Sequence, residues 1–163
     1  MKFTTLADLY LDQLQDMHSC ERQIIRALPK MAKAAELPEL REAFTHHLAE
    51  TRTQVERLDR ILADLGKTAG RKVCKGTAGI VEEGAEVLEA EMEPGVRNAG
   101  LICAAQKLEH YEIASYGCLV AFAMLLGRAR DAKLLETTLN EEKTADELLT
   151  KLALGTVNAV AAA

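Results

Sequence analysis

Seven side chains of this 163-residue sequence interrupt positions where a helical repeat should carry hydrocarbon. Met17, Glu21, Ile24 and Leu28 follow one another at three- and four-residue steps, the spacing that gathers side chains on one helical face, so Glu21 takes a core position. Phe44, His47, Thr51 and Val55 share a second face, and Glu50 stands within one turn of His47. In QKLEHYEIASYG (106–117), Glu109 and Glu112 are three apart, with Glu112 midway between Leu108 and Tyr116. A last stripe runs Leu135, Thr138, Glu142 and Leu149, with Asp146 one turn beyond Glu142. Four segments thus each turn at least one acid inward near mid-length.

An uncompensated buried carboxylate costs several kcal/mol, so six in one small volume would exceed the roughly 5–15 kcal/mol that holds a whole domain together. Positive charge must sit among them. Protons supply part of it by raising carboxyl pKa values, whereas two divalent cations would neutralise four negative charges at once. Carboxylates at helical spacing beside an imidazole are the ligand set of a carboxylate-bridged metal pair. His18, His46 and His110 have no matching inward partners and read as surface or hydrogen-bonded histidines. Tyr111 and Tyr116 adjoin the acids and read first as core packing, with hydrogen-bond donation as the alternative.

The elements that must position these groups are helical. Three Pro, ten Gly, no Trp and 4% aromatic residues, with abundant Ala, Leu, Glu and Lys, predict an all-α chain. A first long helix starts after the capping box Thr5-x-x-Asp8, with a kink or break expected near Ile25 from Pro29. A second begins at Pro38 and ends at Gly66. The connection GKTAGRKVCKG (66–76) and a shorter helix from Thr77 to about Met92 lead to a long helix between Pro94 and Gly127. The last helix starts near Asp131 and stops at Gly155, leaving 155–163 as a loose tail on a single domain of residues 1–154. This is a four-helix bundle with an additional shorter helix in the middle crossover. The uncharged run Ile113–Leu126 is apolar on every face and must be covered by the bundle or by another subunit.

Charge and cysteine content narrow the function. Twenty Lys+Arg against 25 Asp+Glu give a net charge of −5, which disfavours nucleic acid as a partner. No apolar run reaches the roughly 18 residues needed to span a bilayer. Lys2, Asp8 and Asp12 are not arranged as a signal peptide, and Cys20, Cys74, Cys103 and Cys118 form no C-x-x-C pair. Reduced thiols in a cytoplasmic protein are expected.

The strings ALPKMAKAA (27–35), HLAET (47–51), QVERL (54–58), QKLEHYEIASYG (106–117) and LNEEKTADELL (139–149) resemble the YciE/YciF family of small bacterial ferritin-like proteins over nearly the whole length. The resemblance implies a ferritin-like bundle, a homodimer, a rubrerythrin-like di-iron site and a place in stress responses. Carried over position by position, it assigns Glu21, His47, Glu50, Glu109, Glu112, Glu142 and Asp146 as ligands. The sequence departs from the Glu-x-x-His pattern common in ferritin-like proteins: it has His47-x-x-Glu50, Thr53 where a following His would stand, and Asp146 in place of a last-helix His. Such oxygen-rich donors suit two iron ions, or manganese. The expected function is oxidation of Fe(II) by oxygen or peroxide, which would make the chain a ferroxidase or peroxide-reducing oxidoreductase. The alternative is a non-catalytic dimeric stress protein with a structural metal site. A DNA-protecting mini-ferritin is disfavoured, because only the Lys67 to Lys75 stretch is basic.

Overall fold

Local sequence signals set the helix ends. In the computed structural model, which describes residues 3–163, the first helix α1 spans Leu6–Ala34. Thr5 closes the capping box: its hydroxyl accepts from the Asp8 amide at 3.1 Å, and the Asp8 carboxylate accepts from the Thr5 amide at 2.9 Å. Hydrogen bonds from Thr4 and Thr5 hold the Asp8 carboxyl down at about 2. Pro38 and Pro94 open α2 (Pro38–Asp64) and α4 (Pro94–Leu125), where a missing amide proton is no loss. Gly66 and Gly127 follow those helices at φ +66° and +70°, the left-handed conformation that glycine adopts without strain. The shorter α3 spans Lys75–Glu89, and α5 spans Ala129–Leu152. Lys2, part of the N-terminal reading, lies outside the described residues.

The four long helices form a square in which α1 packs on α2 and α4, and α5 packs on the same two. Every adjacent pair is antiparallel. His18 meets Asp59 across α1 and α2, Tyr116 meets Glu21 across α4 and α1, Gln54 meets Glu142 across α2 and α5, and Gln106 meets Asp146 across α4 and α5. That leaves α2 and α4 diagonal and parallel, so the chain must travel back the length of the bundle between them. The connection 65–74 and α3, which packs on the outside of α1 and α4, make that crossover.

Two expectations change. The break near Ile25 is absent, and α1 is continuous through Pro29. Pro29 is exposed, where a freed carbonyl can be hydrated, while Ile24, Leu28 and Met31 anchor the inner face on either side of it. Gly155 does not stop the last helix. Ala153–Val157 form a π-helical turn that leads into the short α6 (Asn158–Ala161). Val157 is buried, and α6 packs on α4 where Gly95 lets the two backbones approach, so the tail is docked through this stretch. The run Ile113–Leu126 is covered on one side only: Tyr116, Leu119 and Ala123 are buried, while Ala114, Cys118, Ala121, Met124 and Leu125 are exposed.

Candidate metal centre

Midway along the square, all four long helices turn a polar group inward. Glu21, Glu112 and Glu142 are 0% exposed, and His47 and Glu109 are buried beside them. Ligand atoms of His47, Glu109, Glu112 and Glu142 lie within 4.8 Å of one another, so this cluster could hold a metal ion. Apolar layers close it above and below. Ile24, Leu28, Phe44 and Leu101 lie toward one end, and Leu14, Leu58, Leu119 and Leu135 toward the other.

The internal geometry leaves donors unused. His47 Nε2 stands 3.5 Å from Glu109 and 3.7 Å from Glu142, and its Nδ1 is 3.8 Å from Glu50, separations too long for good hydrogen bonds. Ligands held about 2.0–2.2 Å from a shared cation come to similar mutual distances, on the order of 3 Å. Six buried side-chain atoms among the described residues have no hydrogen-bond partner: Oε2 of Glu21, Glu109, Glu112 and Glu142, His47 Nδ1, and Gln54 Oε1. The first five belong to the predicted ligands, and the sixth belongs to their neighbour. Buried polar atoms are almost always paired, so five orphans on neighbouring ligand candidates, with His47 Nε2 facing Glu109 and Glu142, fit a cation.

Electrostatics say the same. Burial is the largest cause pushing the carboxyls of Glu21, Glu109, Glu112 and Glu142 above their ordinary range. The negative charge of Glu142 adds to the shift at Glu21, and that of Glu21 to the shift at Glu112. Burial alone would depress the His47 imidazole, but Glu109, Glu50, Glu142 and Glu21 together raise it to about 10. Protons therefore occupy the centre when cations do not: an imidazolium on His47, with carboxyl pairs sharing protons. The Arg57 guanidinium, one turn along α2 from Gln54, instead grips Glu141 in two bonds of 2.5 and 2.7 Å and reaches Thr138 at 3.1 Å.

The predicted residues divide into those at the centre and those at its rim. Glu21 lies beside the four-residue cluster, and Tyr116, fully buried, donates a short hydrogen bond to its Oε1, so this tyrosine both packs in the core and acts as a donor. The Glu50 side chain is 27% exposed and bonded to His46 at 3.2 Å, and the imidazole of His47 beside it holds its carboxyl below the ordinary range. Asp146 stays outside the cluster, because Gln106 donates to its Oδ1 at 3.1 Å and His110 lies 3.5 Å from the same oxygen. A cavity of about 100 Å3 between α2 and α5, bordered by Phe44, His46, Glu50, Thr144 and Leu148, reaches His47 and Glu109 from the surface. Gln54 was missed. It is fully buried and its amide donates to Glu142 at 2.5 Å, but an uncharged polar residue next to the stripe position Val55 reads as outward-facing. The other histidines are as expected: His18 bonds Asp59 at 3.1 Å, while His46 and His110 are exposed.

The chain is 45% identical over 159 residues to Protein YciF of Escherichia coli K12, covering 97% of this chain and 96% of YciF. The crystal structure of that E. coli stress protein superposes with a TM-score of 0.92 over 96% of this chain and 99% of its own, at 44% identity, and the fold is ferritin-like. YcfI of Rhodopseudomonas palustris, whose description proposes a structural role, superposes with a TM-score of 0.87 at 39% identity over 90% of this chain and 94% of its own. A Xanthomonas campestris protein at 23% identity shares the fold, with a TM-score of 0.75 over 96% of each chain. The sequence profile described as Domain of unknown function (DUF892) matches residues 5–162, and with YciF as a close relative over almost its full length, the chain belongs to the DUF892 family.

Proposed function

We propose that this chain is a di-iron carboxylate protein that oxidises Fe(II) with oxygen or peroxide during stress. The observation that carries the reading is the set of five orphaned ligand atoms buried at the middle of the bundle with no Lys or Arg among them. His47, Glu109, Glu112 and Glu142 would hold the metal, with Glu21 beside them and Glu50 at the mouth of the cavity. Iron supplies one-electron redox chemistry toward oxygen or peroxide, which carboxylates and imidazole do not; manganese suits the same donors. The protein's own work is to shed protons and to hold position. His47 and the paired carboxyls release their protons as cations enter, Tyr116 fixes the rotamer of Glu21, and Gln54 fixes that of Glu142. The apolar layers at both ends limit water to the α2–α5 side.

Anaerobic loading with Fe(II) followed by oxygen or peroxide should give an Fe(III) absorbance rise, with two iron equivalents bound per chain. Glu112→Ala should abolish both. An unchanged rise in that variant overturns the ligand assignment, and a single equivalent overturns the metal pair.

A second reading is a non-catalytic dimer whose metal is structural. It is favoured by the exposed stripe Ala114, Cys118, Ala121 and Leu125 on α4, which a second copy of this chain would cover. It predicts a metal-free dimer by sedimentation and no turnover after iron loading, and sustained peroxide consumption rejects it. No helix among the described residues is long and apolar enough to cross a membrane. With four free cysteines, a reducing cytoplasm is the compartment we propose.

A further inference from the structure

Cysteines 54 residues apart in the sequence meet outside the acidic centre. Cys20, on the face of α1 turned toward α3 and α4, and Cys74, the residue that opens α3, are both 0% exposed. One hydroxyl joins them: Thr77 Oγ1 lies 2.8 Å from the Cys20 sulfur and 3.2 Å from the Cys74 sulfur. The backbone of Cys74 is clamped to α1, its amide donating to Ser19 Oγ at 3.0 Å and its carbonyl accepting from Gln23 at 3.0 Å. Tyr111 Oη stands 3.0 Å from the Cys74 sulfur. The Tyr111 ring packs so closely on Gly76 that a Cβ there would lie 2.7 Å from it. Two thiols held this way, each on its own helix and sharing a single hydroxyl, are more than inert filling for a core.

We propose that Cys20 and Cys74 form a redox pair that closes reversibly to an intrachain disulfide, with a hydroperoxide as the oxidant. The Cys74 sulfur attacks one peroxide oxygen, the O–O bond breaks, and water (or an alcohol, from an organic peroxide) leaves with a sulfenic acid on Cys74. The Cys20 sulfur then attacks the Cys74 sulfur, the S–O bond breaks, the S–S bond forms and water departs. Two thiols lose two electrons and two protons, which the peroxide gains. Closing the bond takes up a gap that one oxygen already spans, and the Thr77 hydroxyl is displaced from between the sulfurs.

The order of attack follows from the surroundings. Contact with the Cys20 thiol is the largest cause and lowers the pKa of Cys74 against burial and the nearby Asp16 carboxylate, with Thr77 and Tyr111 adding to the lowering. Both thiols are buried, but Ser19 and Val73, their immediate neighbours in the sequence, line a surface cleft that also holds Arg22, Arg26 and Arg71, so a small opening of the crossover at Val73 would admit a peroxide. The pair needs no metal, and its test separates it from the iron reading. Cys20 nevertheless lies 4.0 Å from Glu112 Oε1, so the oxidised pair would sit against the acidic centre.

The experiment uses the metal-free full chain with the exposed Cys103 and Cys118 changed to serine. After one equivalent of hydrogen peroxide and quenching with N-ethylmaleimide, the intact mass should fall by two hydrogens, neither remaining cysteine should be alkylated, and digestion should yield one cross-linked peptide containing both. Dithiothreitol should restore two alkylatable thiols. With Cys20→Ser added, Cys74 should instead be trapped by dimedone as the sulfenic acid. Two intact thiols after peroxide, sulfinic acid on Cys74 without a cross-link, or disulfides only between chains would each overturn the proposal. Should the double-serine protein not fold, the same mapping on the wild-type chain decides it, because a Cys20–Cys74 cross-linked peptide is identified by its own mass.

Discussion

Two regions of this bundle bury carboxylates, and they treat them in opposite ways. In the first turn of α5, Asp131 is buried but paired, its Oδ2 accepting from the Arg128 guanidinium and the Tyr10 hydroxyl. Asp12, buried nearer the start of α1, receives Lys72 from the crossover loop. In the middle of the bundle four glutamates share one imidazole, and the nearest guanidinium, Arg57, goes to Glu141 rather than to its buried neighbour Glu142. Where an acid is structural, the fold brings a permanent cation to it. At the waist the fold leaves donors without partners, so the compensating charge has to be one that can be exchanged.

The widest gap between the regions should appear on adding metal. At free Fe(II) about 1,000-fold above Kd, linkage stabilises the folded state by about 4 kcal/mol, read as a rise in thermal midpoint under anaerobic conditions. Glu112→Ala should remove that rise, while Asp131→Ala should leave it. A rise lost in both variants would end the distinction.

The response to pH comes next. In the metal-free protein the folded-state pKa values of Glu21, Glu109, Glu112 and Glu142 lie above the ordinary carboxylate value of 4.5, and that of His47 lies near 10 against 6.5. The folded state therefore keeps protons that the unfolded chain releases, from pH 4.5 upward for the carboxyls and from 6.5 to about 10 for the imidazole. Stability should fall as pH rises through those windows, by about 1.4 kcal/mol per pH unit for each proton retained. Urea denaturation from pH 5 to 9 with chelator present measures it. Because metal displaces those protons, the stabilisation by Fe(II) should grow over the same range, and a metal-free stability that rises with pH would contradict the account of the waist.

A smaller effect isolates the structural acid. Asp131→Ala leaves the buried Tyr10 hydroxyl without its acceptor and should cost about 1–3 kcal/mol in urea denaturation, equally with and without metal. The smallest effect is expected on the surface. Lys107 and Glu83 pair at 2.6 Å with both side chains more than half exposed, so Glu83→Ala should leave the urea midpoint unchanged.

Much of this was legible in the residue order. The 3.6-residue period of apolar side chains located four long helices to within a few residues, because burial of one face is a local pattern. The same period set Glu21, Glu109, Glu112 and Glu142 inward, since each falls between hydrocarbon positions a turn away. The phase was less secure on α2, where Gln54 rather than Val55 is the fully buried residue. Glu50 and Asp146 fall at the edge of the inward arc, where one residue of phase separates a ligand position from the rim.

What the sequence by itself determined was which residues share a helical face, and hence that anions would be driven into a hydrocarbon interior. Only the tertiary structure decided which faces meet. It sent Arg57 to Glu141, turned Asp146 toward Gln106 and His110, and aimed the Tyr116 hydroxyl at Glu21. It also set Cys20 and Cys74 on either side of Thr77. The physical reason is range: periodicity is fixed by bonds between neighbouring residues, whereas these partners are set by how the parallel α2 and α4 and the crossover between them dock on α1 and α5.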